Sequence, residues 1–144
     1  MEESRSGSSN ISSTKLKGRL SPIIGRLTQL RVLSLRFNGF FGELPLEMGQ
    51  LRLLEVLDLG FNAFQGSMPS TLQNCSALRL VSLAGNGFNG TIPTFFPGFP
   101  SLQIRSFSFN RLSGLIPMSL ETSVGVLNIS ILPGIICRVR FLPT

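Results

Sequence analysis

Asparagine recurs every 24 residues through the middle of the chain, at Asn38, Asn62, Asn86 and Asn110. Glycine keeps the same interval, at Gly42, Gly66, Gly90 and Gly114. Proline does so as well, at Pro45, Pro69, Pro93 and Pro117. Because glycine and proline make up only about 7% and 5% of average proteins, chance does not produce this agreement. The chain is therefore predicted to be an array of repeats in which each unit packs on its neighbours.

Each unit opens with apolar residues two positions apart, which is the period of side chains on one face of a β-strand. In the unit that contains Asn38, Leu33 and Leu35 are expected to face inward, whereas Val32 and Ser34 face outward. Successive strands are expected to stack in parallel about 4.8 Å apart. The turn after the strand leaves backbone groups without partners, and an asparagine side chain can both donate to them and accept from them. We therefore expect the four asparagines to form a hydrogen-bonded ladder along the stack.

The resulting pattern, LxxLxLxxNxFxGxIP, resembles the plant-type leucine-rich repeat over about residues 16–120. The segments 30–35, 54–59 and 89–93 are similar to the ectodomains of plant leucine-rich-repeat receptor-like kinases, with the Toadstool-type receptors as the nearest group. This resemblance implies an α/β fold, a right-handed leucine-rich-repeat solenoid. Its concave face would carry a short parallel sheet and its convex side irregular or 3₁₀ structure.

The pattern divides the chain into three parts. Residues 1–15 are predicted to be a disordered segment, residues 16–134 the solenoid, and residues 135–144 an unpatterned tail. Within the solenoid, full repeats cover about 27–122, and a degenerate fifth unit covers 123–134.

Two residues in the repeat columns carry unusual side chains. Arg105 stands where the other units have leucine or valine. We expect either a bulge that lets Ile104 face inward, or an arginine whose stem packs while its head reaches solvent. Cys75 shares a column with leucine and phenylalanine and is predicted to be a small buried apolar residue. With Cys137 as the only other cysteine, neither a disulfide framework nor a metal cluster is expected.

The composition argues against an enzyme. The chain contains no histidine and no tyrosine, and its seven acidic residues form no pair within a repeat column. No phosphate-binding loop or metal-ligand spacing is present, so neither a cofactor nor a metal is expected. The net charge of +6 is scattered, which does not favour a nucleic-acid partner. The sequence shows no secretion signal and no run of the roughly 20 apolar residues that a membrane span needs, so membrane insertion is not expected.

The outward columns of the predicted sheet are the candidate binding face. They place an aliphatic strip beside a strip of small polar residues, which suits an extended peptide or a protein edge. The candidate residues are Val32, Ser34, Arg36, Val56, Asp58, Leu80, Ser82, Ile104 and Ser106. The competing interpretation is that these are ordinary strand residues without a partner. Phe37, Phe61 and Phe109 either form an aromatic rim or pack over the turns, and packing is the preferred interpretation.

The resemblance also implies a function. Such ectodomains are non-catalytic recognition modules on the extracellular side of the plasma membrane, with a peptide or protein ligand and a co-receptor as partners. The kinase half of such receptors is not found in this sequence. Sequons at Asn74 and Asn89 are candidate glycosylation sites, which a glycosidase mass shift in protein from a secretory host would test. The alternatives are a free-standing inhibitor-type leucine-rich-repeat protein and a truncated product without independent function.

Overall fold

One strand from each coil lines up in a five-stranded parallel sheet, whose outward side we call the concave face. A computed structural model describes residues 7–95, 99, 101–102 and 104–114. With strands numbered in chain order over the whole molecule, this sheet consists of β1 (Ser8–Asn10), β3 (Val32–Ser34), β5 (Val56–Asp58), β7 (Leu80–Ser82) and β9 (Ile104–Ser106). Residues 24 apart pair with one another, as Leu33 does with Leu57 and Leu57 with Val81.

A second parallel sheet follows the asparagine turns. Its four short strands are β2 (Lys17–Gly18), β4 (Gly39–Gly42), β6 (Ala63–Gly66) and β8 (Gly87–Phe88). These strands mix glycine with phenylalanine and show no alternation of apolar and polar residues, so the sequence did not predict them. They are tied to the next coil by its asparagine, because Asn86 Oδ1 accepts a hydrogen bond from the Phe64 amide at 3.0 Å.

The convex side is built from short 3₁₀ helices, as predicted. Three occur in the part of the chain that the structure describes: η1 (Pro22–Arg26), η2 (Leu46–Gln50) and η3 (Ser70–Asn74). Pro45 and Pro69 stand directly before η2 and η3, with φ of −68° and −66°. Proline fits this position because its ring fixes φ near −65° and the first helical amides need no partner within the helix.

A single apolar interior runs along the stacked coils. The strand leucines, the residues after the asparagine turn and the helix residues each form a column inside it. Those no more than 2% exposed include Leu33, Leu35, Met48, Leu57, Leu59, Phe64, Leu72, Val81, Leu83 and Phe88. Phe64 stacks on Phe40 and on Phe88, with ring centroids 6.1 Å apart in both pairs. Equivalent side chains therefore lie on top of one another.

Residues 7–15 differ from the predicted disordered segment, because they begin an additional coil of the same period. Ser8–Asn10 pair with β3, and Ile11, which lies 24 residues before Leu35, packs against the core. Thr14 occupies the asparagine position, and its hydroxyl donates to the Ile11 carbonyl at 2.8 Å. The sequence concealed this coil because serine and threonine replace the usual leucine and asparagine.

The register of β9 decides between the two expectations for Arg105. Leu80 pairs with Ile104, and Val81 pairs with Arg105, without an inserted residue. The bulge expected as one alternative is therefore absent. The side chains of Ile104 and Arg105, the predicted fifth unit at 123–134 and the predicted tail at 135–144 lie outside the described residues.

Cys75, directly after η3, is fully buried, and its thiol donates to the Met48 carbonyl at 3.3 Å. The prediction of a small buried residue is confirmed. Burial raises the pKa of this thiol from 9.0 to about 11, because desolvation disfavours the thiolate. In a Cys137→Ser background we therefore expect no labelling by a disulfide reagent at pH 8 in the folded protein, and full labelling in denaturant. Rapid labelling of the folded protein would contradict the burial.

The same pKa shift predicts a dependence of stability on pH. The folded pKa lies above the unfolded one, so the contribution of the neutral thiol is intact below pH 9 and is lost as the pH rises to about 11. Across that window the Cys75 contribution to the free energy of unfolding should fall by at most about 1.4 kcal/mol per pH unit. The stability difference between the parent and Cys75→Ala, measured by urea denaturation, should narrow accordingly. A difference that stays constant over this range would contradict the shift.

Candidate ligand-binding face

The candidate residues lie in straight columns on the concave face. Val32 lies beside Val56, and Val56 lies beside Leu80, through the pairing of their strands. The backbone register places Ile104 next in this column. The side chains of Val32, Val56 and Leu80 are half-buried, so they form a continuous aliphatic strip that is partly open to solvent.

The neighbouring column is polar and makes local contacts. Ser34 Oγ lies 2.8 Å from Ser12 Oγ, and Asp58 Oδ1 accepts a hydrogen bond from the backbone amide two residues later at 3.0 Å. Ser106 is half-buried, whereas Ser82 is only 7% exposed. Ser82 therefore serves as part of the floor of the face, and the sequence could not distinguish it from its neighbours.

Arg36 lies across the face toward the next coil. Its guanidinium carbon is 4.7 Å from the ring centroid of Phe37 and 4.9 Å from that of Phe61. Its Nη1 atom lies 3.6 Å from Asp58 Oδ2. Gly60 follows Arg36 in the column, and a Cβ there would meet Nη1 at an ordinary van der Waals distance of 3.4 Å. Each such cation–π contact at an exposed site contributes about 0.5–1 kcal/mol.

The three phenylalanines before the asparagines form an exposed aromatic rim. Phe37, Phe61 and Phe109 are 50%, 39% and 56% exposed. Phe37 and Phe61 stack with centroids 4.8 Å apart and planes 15° from parallel. All three have φ of 55° or 56°, a region that bulky residues rarely adopt. The rim, which was the less favoured interpretation of the sequence, is the one that the structure shows.

Gly85 takes the third place in this column, between Phe61 and Phe109, and leaves a recess on the face. The recess has a volume of about 340 Å³. It is lined by Arg36, Asp58, Phe61, Leu80, Ser82, Ala84, Ser106, Ser108 and Phe109. The floor consists largely of small side chains, while Phe61 and Phe109 rise on either side. The sequence signal for this recess is the glycine itself, in a column where the three other asparagine-containing coils have phenylalanine.

Charged residues flank the aliphatic strip on its other side. Arg31 Nη1 lies 2.6 Å from Glu55 Oε1, and Arg79 Nη1 lies 4.0 Å from Glu55 Oε2. Two arginines thus share one carboxylate. Together with Arg36 and Asp58, these residues give the face three positive and two negative charges, a net charge of +1.

The remaining sequence predictions concern sites away from this face. Asn74, the last residue of η3, and Asn89, directly after β8, are both exposed. Among the described residues, no group of three or more histidine, cysteine or acidic side chains is placed to hold a metal ion. No helix in that part of the chain has the length and apolar character needed to cross a membrane.

Comparisons with known proteins agree on the repeat. The leucine-rich-repeat family model matches residues 29–51 and 53–75. The ectodomain of the receptor kinase SOBIR1 from Arabidopsis thaliana is 33% identical with a TM-score of 0.74, over 78% of this chain and 60% of that one. The Arabidopsis receptor kinase HAESA, solved with the peptide hormone IDA and the co-receptor SERK1, is 33% identical with a TM-score of 0.74, over 77% and 19%.

A plant ice-binding protein is also similar, at 33% identity and a TM-score of 0.67, over 73% of this chain and 34% of that one. A search of curated proteins found no significant match. The chain has the leucine-rich-repeat solenoid fold, and it spans less than two thirds of the length of each of these solved relatives. Because receptors and an ice-binding protein share this fold, the fold by itself does not determine the function.

Proposed function

We propose that this chain is a non-catalytic recognition segment of a plant leucine-rich-repeat receptor-kinase ectodomain, and that its concave face binds a peptide or protein partner. The observation that carries this proposal is the rim of exposed phenylalanines beside an open recess. A residue held in a sparsely populated backbone region costs on the order of 1–3 kcal/mol, and an exposed ring returns little of it to stability. Because Ser13 and Gly85 share this left-handed backbone, the turn belongs to every coil, and it is the choice of an exposed phenylalanine there that supports a binding surface. The similar receptor kinase HAESA was solved in complex with a peptide hormone, which supports this use of the fold.

The face has the dimensions of an extended peptide. Its five strands span four spacings of about 4.8 Å, or roughly 19 Å, which is the length of about six extended residues. Alternate side chains of such a peptide would contact the aliphatic strip and the polar column. This match supports an extended partner that crosses the strands.

The proposal has three further parts. It places the chain on the extracellular side of the plasma membrane, with a co-receptor as second partner. It makes the exposed Asn74 and Asn89 glycan attachment sites. Assignment to the Toadstool-type receptors stays a prediction that rests on the repeat sequence alone.

Replacing Val56 at the centre of the face by glutamate tests the location of the site. Peptides selected from a displayed library of random dodecapeptides would be measured by calorimetry against each protein. Because a central interface residue contributes about 2 kcal/mol or more, we expect Val56→Glu to weaken binding by about 30-fold. Leu46→Glu is the matched control, since Leu46 is a 63% exposed aliphatic residue on the convex side. Equal affinities for the two variants would contradict a concave site, and circular dichroism would verify that both fold.

A further inference from the structure

The interruption of the phenylalanine row at Gly85 leaves one ring position vacant. The rings of Phe37 and Phe61 stack at 4.8 Å, so a third ring in the row would lie about as far beyond Phe61. Gly85 supplies no ring, and a Cβ on it would lie 2.7 Å from Phe61 Cδ1, so the Phe61 ring rests against the glycine. The next ring belongs to Phe109, two coils from Phe61, or roughly 10 Å along the stack. The space between them opens onto the recess of about 340 Å³.

We propose that this space, the aromatic slot, binds an aromatic side chain of an extended peptide that carries a carboxylate side chain two residues away. The slot is defined by the walls Phe61 and Phe109 and the floor residues Ser82, Ala84, Ser106 and Ser108. The proposal rests on the function proposed above and specifies which peptides that face accepts.

The walls and the floor favour a neutral ring. A ring between two phenylalanines gains stacking on both faces beyond the burial of its area, whereas an aliphatic side chain gains the burial alone. A partner guanidinium would also stack on rings, but Arg36 lies 4.9 Å from the Phe61 ring centroid and repels a second cation there. Ser82, Ala84 and Ser108 are no more than 8% exposed, so the floor is closed and the edge of the ring rests against it.

The charges at the slot favour a carboxylate beside the ring. The pair between Arg36 and Asp58, at 3.6 Å, is too long for a hydrogen bond. A guanidinium has five N–H donors and can bind a partner carboxylate through two of them. The net charge of +1 on the face acts in the same direction. Side chains two residues apart on an extended peptide face the same way about 6.7 Å apart, and the length of the aspartate or glutamate side chain covers the remaining distance from the slot to Arg36.

Selection from a random dodecapeptide phage library on the full chain tests the slot. We expect enriched peptides to contain an aromatic residue with aspartate or glutamate two positions away. Ser106→Leu fills the floor of the slot, and Phe109→Ala removes a wall whose ring is 56% exposed and therefore contributes little to the core. Synthetic copies of the enriched peptides, with blocked ends, should bind each variant about tenfold more weakly. Arg36→Gln should also weaken the binding of these peptides about tenfold. Peptide derivatives in which asparagine or glutamine replaces the aspartate or glutamate should bind Arg36→Gln and the parent equally well.

Ser76→Leu is the matched control, because it makes the same substitution at an exposed position away from the face, and it should bind as the parent does. Thermal unfolding would verify that every variant folds. The enriched peptides could bind Ser106→Leu and Phe109→Ala as tightly as the parent and still bind Val56→Glu weakly. That result would overturn the proposed aromatic slot, but it would leave the proposed binding to the concave face intact. Failure to enrich any peptide on the parent relative to Val56→Glu would overturn both proposals.

Discussion

Asn62→Ala is expected to lower the free energy of unfolding by about 3 kcal/mol. The Asn62 amide group donates to the carbonyls of Leu35, Leu59 and Gly60 at 2.9, 3.0 and 3.3 Å, and Oδ1 accepts from the Phe40 amide at 3.1 Å. Alanine leaves these groups without that partner, at about 1–3 kcal/mol for each group that stays buried. Because Asn62 is half-buried, water replaces part of this loss. Urea denaturation followed by circular dichroism measures the change.

Asn74→Ala is the matched control for this prediction. Asn74 is exposed at the end of η3, so the same chemical change should alter stability by no more than about 0.5 kcal/mol. Asn62→Asp should be at least as destabilising as the alanine variant, because it removes the donors and sets a charge against the carbonyls. If Asn62→Ala and Asn74→Ala were equally stable, the asparagine ladder would not hold the coils together.

Phe64→Ala is expected to destabilise the protein by about 3–5 kcal/mol. The Phe64 ring is fully buried and stacks on the rings of Phe40 and Phe88, so its removal leaves a cavity between two coils as well as losing buried apolar area. Phe41 is the adjacent residue in the Phe40 coil, and it is 45% exposed with Arg19 5.8 Å from its ring centroid. Phe41→Ala should therefore cost no more than about 1 kcal/mol.

Chemical denaturation monitored by circular dichroism would compare the two variants. A loss for Phe64→Ala no larger than that for Phe41→Ala would show that the interior is not shared between coils. Amide hydrogen exchange would show which strands are destabilised by Phe64→Ala. Protection should fall most in β4, β6 and β8, which carry the stacked rings.

The sequence predicted the concave sheet and the interior because their residues repeat at a fixed interval. Leu33, Leu57 and Val81 each precede an asparagine by five positions, and the structure pairs them directly. The second sheet was missed because its strands depend on a partner in the next coil. The Phe40 amide, for example, bonds to Asn62, 22 residues away. No local pattern reports such a contact.

The outward columns of the candidate site follow from the register alone, but the directions of their side chains do not. Arg36 lies against Phe61 and Asp58, so its position depends on two residues of the following coil. The exposure of the phenylalanine rim depends likewise on a left-handed backbone at Phe37 and Phe61. The repeat period predicted the columns that hold these residues, but it could not determine the side-chain directions that create the recess.

The separation of inward from outward residues within each strand has a consequence for engineering and for divergence. Leu57 is fully buried, whereas its neighbours Val56 and Asp58 are partly open to solvent. Within one short strand, the inward residues therefore stabilise the fold, and the outward residues that alternate with them determine ligand specificity. If only the outward strand residues are exchanged between two such proteins, the ligand preference should move with them, and the melting temperature of the recipient protein should stay the same.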